Sequence, residues 1–237
     1  MSNPNLAILE LVANALGPVC EEVVFVGGCA TGLLLTQVRP ERIRITEDVD
    51  IIAQALTASD YHAIENKVRA RGFSNDMRPG APICRWVYGA VTVDVMPTVQ
   101  DILGFANRWY PLAEETATPV TLASGLGIRL ITAPVFIATK LEAFNDRGRN
   151  ANGEPDYLGS HDLEDIITVV DRRPELLAEC IASPPELRAY LAQALGRLLA
   201  DSDFNTSLAG HLPGDASSQG RLQKLRDALR VLSNLKT

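Results

Sequence analysis

The sequence is poor in the residues that build metal–thiolate centres, membrane spans and nucleic-acid coats. Its four cysteines, at positions 20, 29, 84 and 180, form no Cys-x-x-Cys pair, and its three histidines, at 62, 161 and 211, are equally scattered. Zinc-ligand spacing is therefore excluded, and the thiols read as reduced, with Cys20, Cys29 and Cys84 partly buried. No apolar run reaches the roughly 18 residues that a membrane span requires. The first residues, Met1-Ser2-Asn3-Pro4, show no basic region followed by an apolar stretch, so no signal peptide is read. A cytoplasmic protein with no membrane partner is expected. Basic residues are also short: 22 Lys and Arg stand against 29 Asp and Glu, a net charge of -7. That argues against a generally basic nucleic-acid coat and leaves only a local groove open. Lysine is the scarcer base, with four residues (67, 140, 224 and 236) beside eighteen arginines. What is present is ordinary. At 46% hydrophobic and 22% charged, the 237 residues can bury a core, and the length fits one large domain or two small ones.

The patterning is mixed in the first half and helical in the second. A helix is expected over residues 5–16, stopped by Gly17-Pro18, then a buried strand at Val23–Val26 running into Gly27-Gly28 and a helix over 30–38. Alternating Ile43, Ile45, Val49 and Ile51 predict a strand over 42–52, and Ser59 is the expected N-cap of a helix over 59–71. Strands follow at 73–76, 83–88 and 90–96, the last two forming a tight hairpin around Gly89. A short helix over 99–107 and strands at 120–122 and 128–132 come next. Pro134 then opens a helix over 135–147. Residues 148–160 read as a loop, 162–170, 174–181, 186–199 and 220–235 as helices, and 201–219 as a mobile linker. The composition changes near 125–133. The expected class is α+β, a mixed sheet followed by a helical part.

Three features carry chemistry. Val26-Gly27-Gly28 is a strand entering glycines and then a helix, where backbone N–H groups can meet phosphate. Asp48-Val49-Asp50-Ile51 places two carboxylates on one strand face, with Cα atoms about 6.5–7 Å apart. Strands avoid Asp, and like charges sharing a face repel unless a cation lies between them. Val91-Thr92-Val93-Asp94-Val95-Met96 sets Asp94 opposite the valines, another costly position without a partner. Hard oxygen donors of this kind suit Mg²⁺ or Mn²⁺. Each feature alone also has a bland reading: a structural turn, an acidic strand end, a solvated outer face.

Together they resemble the nucleotidyltransferase superfamily that shares the DNA polymerase β catalytic domain. Its motif is a hydrophobic residue, Gly, Gly or Ser, a spacer, Asp-hydrophobic-Asp/Glu-hydrophobic, and a third acid on a later strand. Here Val26-Gly27-Gly28 precedes Asp48-Val49-Asp50-Ile51 and Asp94, with a spacer of 19 residues, longer than in the shortest members. Within that superfamily, Gly27-Gly28-x-x-Thr31-x-Leu33 and Thr46-x-Asp48-x-Asp50 resemble the AbiEii-like branch, which includes toxins of type IV toxin–antitoxin systems and MenT-type toxins. That branch also carries a helix with a lysine and a helix with an Asp-Leu-x-Asp signature, matched here by Thr139-Lys140-Leu141 and Asp162-Leu163-Glu164-Asp165, with His161 where the family often has Lys or Arg. The resemblance covers roughly residues 20–172.

The resemblance implies a polymerase β-like core over 1–130 and a helical domain over 131–237 that completes a nucleotide cleft. It implies transfer of a nucleotide from an NTP to an acceptor hydroxyl, the 3′ end of tRNA in a toxin-like enzyme with an antitoxin partner. The alternatives are a small-molecule (antibiotic) or protein acceptor, or a degenerate partner-binding scaffold. An RNA acceptor would call on a groove lined by arginines such as 39, 42, 44, 78 and 85. Asp48, Asp50 and Asp94 would hold Mg²⁺ (or Mn²⁺). Gly27, Gly28 and Thr31 would hold the triphosphate. Lys140 and one of Arg147 or Arg149 would neutralise phosphates, and Asp162 would position Lys140 or a ribose. On its own chemistry Lys140, within the apolar Val135–Leu141 segment, needs an anion or must snorkel from a helix edge, and Asp162 serves equally as a first-turn acid after an N-cap at Ser160. Asp165 is expected to support the site by pairing with Arg147 or Arg149.

Overall fold

The computed structural model describes residues 4–37 and 43–236. Among them the chain divides into two units, one of residues 4–32 and 43–132, the other of residues 33–37 and 133–236. No helix among the described residues is long and apolar enough to cross a membrane.

The first unit contains α1 (Pro4–Leu16), β1 (Val23–Val26), the opening of α2 (Gly27–Leu34), β2 (Asp48–Ala53), α3 (Ala58–Ala70), β3 (Ser74–Asn75), β4 (Arg85–Tyr88), β5 (Val91–Pro97), α4 (Gln100–Leu103), α5 (Tyr110–Thr116), β6 (Thr118–Thr121) and β7 (Gly127–Leu130). Its seven strands form one mixed sheet in the order β3-β4-β5-β2-β1-β7-β6. β2 runs parallel to β5 and antiparallel to β1, and β4 and β5 make the expected antiparallel hairpin. Phe25, Val49, Ile51, Trp86, Val93 and Val95 are all fully buried. The cross-strand register puts them on one face, the core face. The other tryptophan, Trp109 before α5, is also buried. Tyr61 of α3 donates its hydroxyl to the Val95 carbonyl at 2.7 Å.

Several local boundaries differ from the sequence reading. Helix α2 begins at Gly27 rather than at Ala30, and Val38, the expected end of that helix, lies outside the described residues, as do Arg39 and Arg42. The strand expected over 42–52 starts only at Asp48. Ile45 is 60% exposed, so the Ile43/Ile45 alternation has no core to face. That segment is instead tied to α1: the buried Asn5 side chain donates to the Arg44 carbonyl and accepts from the Thr46 N–H. The helix over 99–107 shrinks to α4, because Gly104 ends it in the left-handed conformation at φ 80°. Helix α5 is an element that the periodicity did not show; Pro111 in its first turn is its one start signal.

The second unit is helical: α6 (Ala133–Arg147), α7 (His161–Arg172), α8 (Leu176–Ala182), α9 (Pro185–Ala200), α10 (Ser202–Ser207), α11 (Ala216–Gln219) and α12 (Leu222–Leu232). α9 buries Leu187, Leu191, Leu195 and Leu198, and α12 buries Leu225, Leu229 and Leu232, both stripes at helical spacing. α6 is buried almost throughout its first nine residues, Lys140 included. Residues 201–219 are not a linker. Asp201 caps α10 through the Asp203 and Phe204 N–H groups and accepts the Tyr157 hydroxyl at 2.8 Å, while Asp215 caps α11. Their polar composition serves two caps, which a count of polar residues cannot tell from disorder.

The N-cap of α3 is Thr57, two residues before the expected Ser59. Its side chain accepts from the Asp60 N–H, and Asp60 reaches back to the Thr57 N–H. Thr57→Ala should cost about 1 kcal/mol. A thermal melt should then show a midpoint lower by about 2–4 °C. An unchanged midpoint would mean that the reciprocal cap contributes nothing.

Candidate functional site

Strand register brings the three aspartates together. Asp48 pairs with Thr92 and Asp50 with Asp94 across the parallel β2–β5 ladder, so all three carboxylates share the face opposite the core. One carboxylate oxygen from each of Asp48, Asp50 and Asp94 lies within 4.8 Å of the other two. Asp94 is 9% exposed, and the two on β2 are half-buried.

Neighbouring residues hold each acid in place. The Thr46 hydroxyl donates to Asp48 Oδ1 at 2.6 Å, and Thr46 is itself fixed by Asn5. Arg85 on β4 stands opposite Asp94 in the antiparallel ladder. Its Nε donates to Asp94 Oδ1 at 2.8 Å and its Nη2 to Oδ2 at 2.7 Å, a bidentate fork. The same Nη2 lies 3.9 Å from Asp48 Oδ2. Donating to Asp94 raises the Arg85 pKa above its usual high value; desolvation opposes this, and the Asp94 and Asp48 charges add to the rise. Cys84, next in the chain, is pushed up to about 12, by burial first and by the Asp94 charge second. It is therefore a protonated thiol at neutral pH and offers no nucleophile to the site. None of the four cysteines is in a disulfide, and all are buried.

Asp50 sets the backbone before α2. Gly27 has φ +68°, and a Cβ built there would lie 1.7 Å from Asp50 Oδ2 and 2.5 Å from its Cγ. Only glycine meets both conditions, a left-handed backbone and a carboxylate packed against its Cα. Gly28 is buried in the first turn of α2. Thr31, one turn on, is fully buried, and its Oγ1 has no hydrogen-bond partner. An unmet buried hydroxyl costs about 1–3 kcal/mol, so the position is not there for packing alone.

The donor set fits a hard divalent cation. It consists of carboxylate oxygens with no thiolate or imidazole, converging beside a glycine that leaves room for one of them.

A second charged cluster lies in the helical unit. Lys140 Nζ is 3.1 Å from Asp162 Oδ1 and 2.7 Å from Asp165 Oδ2, and all three residues are buried. Arg147 donates from Nε to Asp162 Oδ2 and from Nη2 to Oδ1, both at 2.9 Å. Asp162 thus receives two cations, and Asp165 pairs with Lys140. Ser160 caps α7 by accepting from the Leu163 N–H, which leaves the Asp162 side chain to the cations. Burial pushes the Asp162 pKa up, but the Arg147 hydrogen bonds and the Lys140 charge outweigh it, and the carboxyl titrates below its ordinary value.

Sequence reasoning passed over two residues at the acid cluster, Asn5 and the role of Arg85. The signal for Arg85 was present. A hairpin that turns at Gly89-Ala90 pairs Tyr88 with Val91, and counting outward puts Arg85 opposite Asp94. Asn5 had no such signal, since its contacts span some forty residues of chain.

No protein-family model matches the sequence, and no curated protein matches it. Among solved structures, the chain is similar to a "putative nucleotidyltransferase" from H. pylori at 14% identity and TM-score 0.46, covering 99% of this chain and 95% of that one. It is also similar to JHP933 from Helicobacter pylori, at 14% identity and TM-score 0.43, covering 97% of this chain and 90% of that one. The functional reading rests on the residues themselves.

Two outcomes follow from this geometry. Gly27→Ala should destabilise by about 2–3 kcal/mol, through the left-handed backbone and the overlap with Asp50. In an Asp50→Gly background the same change should cost only about 1 kcal/mol, a coupling that a double-mutant cycle in urea would measure. Equal costs in both backgrounds would show that the carboxylate does not press on Gly27. Asp162, with its depressed folded pKa, contributes stability that is complete above the ordinary value of 3.8 and lost as pH falls below it. Acid unfolding of Asp162→Asn should therefore be less steep below pH 3.8 than that of the parent chain, although the variant is less stable at pH 7.

Proposed function

We propose that this chain is a divalent-metal-dependent nucleotidyltransferase, moving a nucleoside monophosphate from an NTP to an acceptor hydroxyl. The observation that carries the reading is the convergence of Asp48, Asp50 and Asp94 on one sheet face, within 4.8 Å, against a glycine that opens a helix. Asp48 and Asp50 would hold Mg²⁺ or Mn²⁺, with Asp94 serving the acceptor side. The metal, when bound, would neutralise phosphate charge and lower the pKa of the attacking hydroxyl. The rest falls to the chain. Gly27 and Gly28 leave the backbone close to the triphosphate, and the first N–H groups of α2 donate to it. Thr31 carries a hydroxyl with a hydrogen bond still to make. Lys140 and Arg147 are assigned to the nucleotide phosphates; support comes from two cations meeting at one carboxylate, Asp162, which orients both.

The motif likeness to AbiEii-like toxins favours the 3′ end of tRNA as acceptor, with an antitoxin as partner and the cytoplasm as the place of action. The net charge of -7 favours a second reading, a cationic small acceptor such as an aminoglycoside. Retention of all three acids speaks against a degenerate scaffold.

Labelled NTPs supplied one at a time with Mg²⁺, and with either total RNA or small cationic acceptors, test the reading directly. The parent chain should label one acceptor class. Asp50→Ala should reduce labelling by at least about 100-fold, a loss typical of removing one group that stabilises transition-state charge. Its melting midpoint should be unchanged or slightly higher, because like charges crowd at the cluster. Full activity in Asp50→Ala, or its collapse as a fold, would reduce the residue to a structural part.

A further inference from the structure

Arg85 occupies the acid cluster in a way that bears on how a metal could bind there. Its guanidinium takes both oxygens of Asp94 and comes within 3.9 Å of Asp48. One fixed cation therefore addresses two of the three carboxylates. We propose that Arg85 is an internal counter-cation that competes with the divalent metal for Asp94, so that metal binding requires the guanidinium to release that carboxylate. The inference rests on the reading of Asp48, Asp50 and Asp94 as metal ligands.

The chemistry leaves little alternative to movement. A guanidinium does not lose its proton in a protein. It cannot stay in place as a neutral group when a second cation arrives. A divalent ion held by Asp94 would sit beside a full positive charge in a partly desolvated site, where repulsion is weakly screened. Before a metal binds, the arginine answers the mutual repulsion of Asp94 and Asp48, so the sheet can form without waiting for an ion. That service is set against metal affinity. The Arg85 side chain is 26% exposed, which gives the guanidinium a solvated side toward which to swing. The bland reading is a cross-strand ion pair that merely stabilises β4 against β5. It makes a different forecast: loss of Arg85 would lower stability and leave metal affinity where it was.

The experiment is a Mn²⁺ titration of the full chain without nucleotide, with free Mn²⁺ read by its electron paramagnetic resonance signal. The parent is compared with Arg85→Met, which keeps the apolar stem, and Arg85→Lys, which keeps the charge and loses the fork; circular-dichroism melts check each fold. Arg85→Met should bind Mn²⁺ about tenfold more tightly, the worth of the charged hydrogen bonding that the metal no longer has to displace. Arg85→Lys should fall between the two. Should Arg85→Met fail to fold, Arg85→Lys decides alone: tighter binding than the parent supports competition. Parent-like or weaker binding in the folded variants, with Mn²⁺ bound by the parent, overturns the competition and leaves the three-acid reading standing. No Mn²⁺ bound by any of the proteins overturns both.

Discussion

The parallel pairing of β2 with β5 is the constraint on which the site depends. It sets Asp50 beside Asp94 and Asp48 beside Thr92, with Val49, Ile51, Val93 and Val95 fully buried on the other face. A slip of one residue would bury the acids and expose the valines, so the hydrophobic face fixes the register and the register fixes the acids. The remaining features accommodate that placement. Arg85 neutralises Asp94, Thr46 orients Asp48, and Gly27 yields space to Asp50.

The two charged clusters are built differently. In the helical unit, Lys140 bridges Asp162 and Asp165, and Arg147 forks onto Asp162. Lys140, Asp162 and Asp165 are buried while the Arg147 side chain is 71% exposed, so breaking the Lys140 pairs is the costly change. In the sheet, one guanidinium forks onto Asp94 and comes within 3.9 Å of Asp48.

Much of this was legible in the sequence, for identifiable reasons. The parity of Asp48, Asp50 and Asp94 against alternating valines and isoleucines implied a shared face, because a pleated strand has a period of two and nothing in the core can override it. The lysine in an apolar helix implied an anionic partner, because an unpaired buried ammonium is too costly. Less legible were the features decided by contacts distant in sequence. Ile43 and Ile45 alternate like a strand, yet Asn5 holds that segment outside the ladder. Residues 201–219 look like a linker because capping uses the same Asp and Ser residues as disorder does. Arg85 lay within reach through hairpin arithmetic, which turns one known turn into a whole list of neighbours.

The placement of the aromatic residues has a spectroscopic consequence. The chain has two tryptophans, Trp86 beside Arg85 on β4 and Trp109 before α5, and both are buried in the sheet-containing unit. The Arg69 guanidinium lies 5.1 Å from the Trp86 ring centroid. The helical unit has no indole at all. Intrinsic tryptophan emission thus reports on one unit alone, with one emitter adjacent in sequence to the residue that grips Asp94. Far-ultraviolet circular dichroism, by contrast, draws strongly on the helices of the other unit. Recorded together on one sample, the two signals separate the unfolding of the halves without any label being introduced.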